Sequence, residues 1–161
     1  MTEWNVVPEP TLRELAEQLT TLTWPLDAST AAALAEARGW SLMYSNEDAI
    51  RWTSSLPVNK AMASATVHDG IVSRLRVTVS DSLPEETRES TGFLRDVFVD
   101  QVAMLTEMFG EPTERQPGRF SSVRWVLANG SSLEATMVGT ACGWTVTSPE
   151  FVQIEADLGR R

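Results

Sequence analysis

The sequence predicts an α+β fold: a single domain with one curved antiparallel sheet of about six to seven strands and helices mainly on one face, in the order ααββββαβββα. Two observations predict it. Apolar residues recur at helical spacing in four stretches, and period-two alternation fills two others, residues 41–80 and 119–147. Strands joined by short turns favour hairpins, hence an antiparallel sheet that buries one face under helices. A chain of 161 residues, 42% of them apolar, suits one domain over 1–161 with a substantial core.

The N-terminal helical pair spans 10–38. Pro10 sits where a missing N–H costs nothing, and Leu12, Leu15, Leu19 and Leu22 follow at helical spacing until Trp24 and Pro25 end the run. A second, Ala-rich helix runs from Ala28 to Arg38, capped by Asp27 or Ser29 and stopped by Gly39. The pair should pack on the sheet through its leucines, with Trp24 and Trp40 closing its ends.

The first β meander, 41–80, reads as Leu42–Ser45, Ala49–Leu56, Ala61–His68 and Ile71–Val79. For the last hairpin, a two-residue Asp69-Gly70 loop places Val67 opposite Val72 and scrambles the apolar face. Pairing Val67 with Ile71 aligns both faces, so a three-residue loop is expected, with His68 exposed in it.

Residues 81–110 hold the acidic segment and the long helix. Between Asp81 and Glu114 stand nine of the 22 acids and only two bases, Arg88 and Arg95. The helix begins either at a Ser82/Glu85 capping box or near Thr91, and it ends at Gly110 and Pro112. From Phe93 to Phe109 its apolar residues fall within about 180° of arc at 100° per residue. Gln101 projects from the middle of that arc. It either pairs with a backbone group in the core or lines a pocket as its polar residue.

The second β meander, 119–147, alternates through Val123, Trp125 and Leu127, then Leu133, Ala135 and Met137, then Cys142, Trp144 and Val146. Turn chemistry at Asn129-Gly130 favours a two-residue loop, whereas alternation requires an odd one, and a slip by one residue would expose the whole apolar face. An odd loop is therefore expected. Ser148 and Pro149 open a C-terminal helix, 149–158, with Phe151, Ile154 and Leu158 on one side.

Charge and composition exclude several functions. A net charge of −9 argues against nucleic acid, whose phosphates require clustered Lys and Arg. No apolar run reaches the roughly 18 residues of a membrane span, and the N-terminus lacks a signal-peptide pattern, so no membrane association and a cytoplasmic location are expected. One His and one Cys cannot assemble a zinc site, and no stretch matches a calcium loop, a phosphate loop or a nucleophile elbow. Neither metal nor cofactor nor enzymatic activity is expected. Cys142 reads as a small core residue.

Several short marks carry a resemblance: Trp24-Pro25, Gly39-Trp40, Ile50-Arg51-Trp52-Thr53, Phe109-Gly110-Glu111-Pro112-Thr113, Arg124-Trp125 and Asn129-Gly130. Together they are similar to an actinobacterial family of small uncharacterised cytosolic proteins. Some relatives resemble immunity factors of secreted polymorphic toxins, such as the partner of the mycobacterial necrotizing toxin, an NAD glycohydrolase. The resemblance implies an inhibitor that binds a toxin domain, and it carries over no binding residue. Combined with the acidity, it gives the expectation of a protein partner with a basic surface, met by Glu85, Glu86, Glu89, Asp96, Asp100, Glu107 and Glu111. A secretion chaperone or adaptor and a small-molecule sensor are the alternatives.

Overall fold

The computed structural model describes residues 4–118, 121–138 and 140–159. It is α+β, with one open antiparallel sheet of eight strands. Helices α1 (Glu9–Thr20) and α2 (Ala28–Ala37) precede β1 (Ser41–Ser45), β2 (Ala49–Thr53), β3 (Met62–His68) and β4 (Ile71–Thr78). Helix α3 (Arg88–Phe109) leads to β5 (Glu114–Gln116), β6 (Ser122–Val126), β7 (Ser132–Val138) and β8 (Ala141–Thr147), and α4 (Pro149–Asp157) ends the fold. The strand order is β1-β2-β3-β4-β8-β7-β6-β5, so each half of the chain forms a meander and the two meanders join at β4 and β8.

The sheet has one strand more than expected. Strand β5 is three residues long, too short to display a period, and it pairs with β6 at the edge. The expected start of the second meander near Arg119 lies outside the described residues.

Alternation builds the apolar face. Ile50, Trp52, Ala63, Ala65, Val77, Trp144, Val146, Leu133, Ala135, Val123 and Trp125 are buried and meet neighbours of the same parity across the ladders. Helices α1 and α3 pack on the second meander, and α2 on β1 and β4. Asp27 caps α2 by accepting the Thr30 N–H at 2.8 Å, and hydrogen bonds from Thr30 and Ser29 hold its carboxyl below its usual range.

The two hairpins that posed register problems resolve differently. In β3–β4 the preferred three-residue loop is overturned: Val67 pairs with Val72 and His68 with Ile71 around a two-residue Asp69-Gly70 turn. Both turn residues have positive φ, 50° and 77°, as a tight hairpin of this kind demands. The apolar face survives because the ladder skips Ser73, a bulge that resets the parity before Leu75. His68 is exposed at the end of β3, not inside the loop. In β6–β7 the loop is odd, as alternation requires: Val126 pairs with Ser132, leaving five residues between them.

Helix α4 lies on the other face. Arg74 of β4 and Arg124 of β6 point away from the apolar side, and Glu155 of α4 reaches both, at 2.5 Å and 3.7 Å. The Arg74 guanidinium also sits 4.7 Å from the Phe151 ring centroid. The inward side of α4 is therefore Phe151 and Glu155. Of the residues expected to share it, Ile154 and Leu158 are exposed.

Candidate functional site

The long helix begins at Arg88. Thr87 accepts the Ser90 N–H at 3.0 Å while Ser90 Oγ accepts the Thr87 N–H at 2.8 Å, a reciprocal cap that neither expected start anticipated. Leu94, Val97, Phe98, Met104 and Leu105 are buried against the sheet. Phe93 is half-buried under Trp4, whose ring lies 4.9 Å away, which gives the N-terminal tryptophan a packing role.

Gln101 is 4% exposed, and both polar atoms of its amide have a partner. Its Nε2 donates to Val79 O at 3.1 Å, and its Oε1 accepts the Trp144 indole N–H at 3.2 Å. One polar side chain thus satisfies a strand carbonyl and a core indole. It borders a surface groove, but its polar atoms are spent inward.

The acids of the segment divide by environment. Asp81 is buried and accepts the backbone N–H groups of Asn5 at 2.7 Å and Asn59 at 3.0 Å, tying the N-terminal strap to the β2–β3 loop. Glu85, Glu86, Glu89, Asp96, Asp100, Glu107 and Glu111 are all exposed. Glu89, Asp96, Asp100 and Glu107 recur at spacings of seven, four and seven, which places them in one stripe about 40° wide along α3. Glu85 and Glu86 precede the helix and Glu111 follows it, so the seven residues form a line with ends, not a compact cluster.

Glu107 and Glu111 are partly neutralised. Arg13 of α1 bonds Glu9 at 2.9 Å and Glu107 at 3.0 Å, and these two hydrogen-bonded carboxylates raise its pKa. Glu111 lies 3.8 Å from Arg115. Glu85, Glu89, Asp96 and Asp100 have no ion-pair partner among the described residues. Beside the stripe, a groove of about 360 Å³ runs between the N-terminal strap with α1 and α3. Leu12, Val97 and Met104 line it, and Glu9, Asp100 and Glu107 stand around it.

Other chemistry-bearing groups do not converge. Among the described residues, no three of His, Cys, Asp and Glu are grouped to hold a metal ion. Cys142 is buried in β8, where burial pushes its thiol up to about 12, so it carries little thiolate at neutral pH. No helix among the described residues is long and apolar enough to cross a membrane.

The buried charges of the α4 face escaped the sequence reading. Tyr44, Arg51, Ser64, Arg76, Thr145, Glu134, Arg124 and Glu114 are successive cross-strand neighbours, one polar row spanning all eight strands. Arginines alternating with apolar residues look solvent-facing, and only a buried acid inside a terminal helix, Glu155, could have signalled the cover.

The chain belongs to a family of unknown function, DUF6301, whose model matches residues 10–148. No curated protein and no solved structure matches it.

Proposed function

We propose that this is a non-enzymatic, cytoplasmic binding protein of the immunity-inhibitor kind, which engages the basic surface of a secreted toxin domain and blocks its active site. The observation that carries the reading is the α3 stripe: Asp96 and Asp100, mid-helix, are exposed, like-charged and without an ion-pair partner among the described residues, while Glu89 in the same stripe serves the first turn of the helix. Asp96 and Asp100 are also four residues apart, a spacing that costs the helix stability. Such an unfavourable arrangement is rewarded by an opposite potential on a partner, which steers encounter and selects against wrong partners. The adjoining groove suits a Lys or Arg side chain, its stem on Leu12, Val97 and Met104 and its cation beside Asp100 and Glu107.

The test begins with the reading frame next to this gene. If it encodes a toxic domain, co-expression of this chain should restore growth and the two proteins should form a stoichiometric complex. Reversing Asp96, Asp100 and Glu107 to Lys should then slow association by about tenfold or more at low salt and flatten its salt dependence. Growth not restored, or association unchanged by the reversal, sinks the proposal.

A second reading, a secretion adaptor, is favoured by β1. This edge strand is exposed throughout, including Leu42, Met43 and Tyr44, and its outer edge is unpaired among the described residues. An extended segment of an export substrate could add to it as a further strand. An adaptor of this sort would bind an unfolded segment, an inhibitor a folded enzyme.

A further inference from the structure

The α1–α2 hairpin leaves part of the first meander uncovered. A cleft of about 720 Å³ lies between the two helices and the sheet, within the roughly 300–1,000 Å³ of small-molecule sites. Its walls are mainly apolar, with Leu15 and Leu19 from α1, Ala35 from α2, and Trp52 and Leu75 from the sheet.

One corner of the cleft is polar and unfinished. Helix α2 ends at Arg38, Gly39 turns with φ at 83°, and Trp40 follows. The Arg38 guanidinium carbon is 5.7 Å from the Trp40 ring centroid, and Trp40 is 5.9 Å from Trp52. Both Arg38 and Trp40 line the cleft. The Arg38 Nε–H and the Trp40 Nε1–H are buried and have no acceptor among the described residues. Nor does any carboxylate among those residues pair with Arg38. Three buried donors lack an acceptor among the described residues, and two of them, with a guanidinium that has no carboxylate partner there, meet at this corner; the third, the Trp24 Nε1–H, does not line the cleft.

We infer that this cleft binds an amphiphilic carboxylate of the medium-chain fatty-acid type. Guanidinium and indole N–H groups only donate, so the head they select only accepts. Because Arg38 is permanently charged, the favoured acceptor is anionic. The tail lies along Leu15, Leu19, Trp52 and Leu75, where burial of apolar surface supplies the driving force. A site of this kind uses none of the residues of the acidic stripe, and it stands or falls independently of the partner proposed above. It also replaces Gln101 with Arg38 as the polar residue of a pocket between sheet and helix.

The experiment is a titration of the full chain with decanoate below its micellar concentration, followed by tryptophan emission and by calorimetry. Saturable one-to-one binding is expected, with methyl decanoate weaker by about tenfold or more because its head is neutral. Arg38→Met should weaken decanoate by a similar factor. Leu34→Asp, at the exposed rim of the cleft, should weaken decanoate more than the ester, and far-UV circular dichroism checks that both variants fold. Absence of saturable binding overturns the inference. Equal affinity for acid and ester, or binding indifferent to Arg38→Met, overturns the carboxylate assignment, and binding indifferent to Leu34→Asp overturns the location. If Arg38→Met does not fold, the acid–ester comparison and Leu34→Asp decide.

Discussion

Arg124 and Trp125 are consecutive residues of β6 that point to opposite faces of the sheet, yet both are nearly inaccessible, at 7% and 2% exposed. Trp125 is held by area: it lies in the apolar core, and its one polar atom donates to Gly110 O at 2.9 Å. Arg124 is held by charge: Glu155 comes down from α4, and Glu134 and Glu114 are its cross-strand neighbours. Apolar packing is non-directional and tolerates rearrangement, whereas a buried cation depends on its particular partners. The same sheet therefore carries one face held by buried area and one held by particular charge partners.

That contrast can be broken from either side. Trp144→Ala should have the largest effect, about 3–5 kcal/mol in urea unfolding, since it opens a cavity and leaves Gln101 Oε1 without its donor. Glu155→Ala should cost about 3 kcal/mol or more, because two arginines lose a common partner and one of them is buried. Replacing the pair together, Glu155→Leu with Arg124→Met, should recover most of that loss. A double variant as unstable as Glu155→Ala would show that α4 is held by something other than charge.

Alkaline pH sharpens the comparison from the apolar side. The Cys142 thiol is raised in the folded chain, from about 9 to about 12, so the unfolded chain ionises first. Its contribution is intact below pH 9 and is lost as pH rises from 9 towards 12, at about 1.4 kcal/mol per unit. Between pH 8 and pH 10 wild type should lose about 1.4 kcal/mol more than Cys142→Ala, since only the unit above pH 9 contributes. The smallest expected effect is at the start of α4: Ser148→Ala removes the acceptor of the Phe151 N–H, for about 1 kcal/mol.

Legibility in the sequence follows the same divide. Alternation located the apolar face of nearly every strand, because an error of one residue would turn that whole face to water. It was silent about the other face, where Arg74, Arg76 and Arg124 read as surface residues whether or not a helix covers them. Turn chemistry and alternation competed twice. At Asp69-Gly70 the turn prevailed, and the bulge at Ser73 absorbed the mismatch. At Asn129-Gly130 alternation prevailed through a longer loop. A bulge leaves no mark in the hydrophobic pattern beyond the mismatch it repairs, so the first outcome could not be read. The acids of α3 were legible as exposed. The Arg38–Trp40 corner was not, since it depends on how the end of α2 packs against Trp52 of β2, which no periodicity encodes.

The junction of the two meanders has a consequence for how the chain folds. Within each half, strands pair with close neighbours in sequence, but the β4–β8 seam joins residues 74–78 to 143–147. Closing so long a loop costs entropy before any contact repays it, and non-local pairing of this kind slows folding. Seam formation should therefore be the late, rate-setting event, with each meander able to begin on its own. In stopped-flow refolding, Val146→Ala at the seam should slow folding, and a variant that changes only the unfolding rate would show that the seam closes after the rate-setting step.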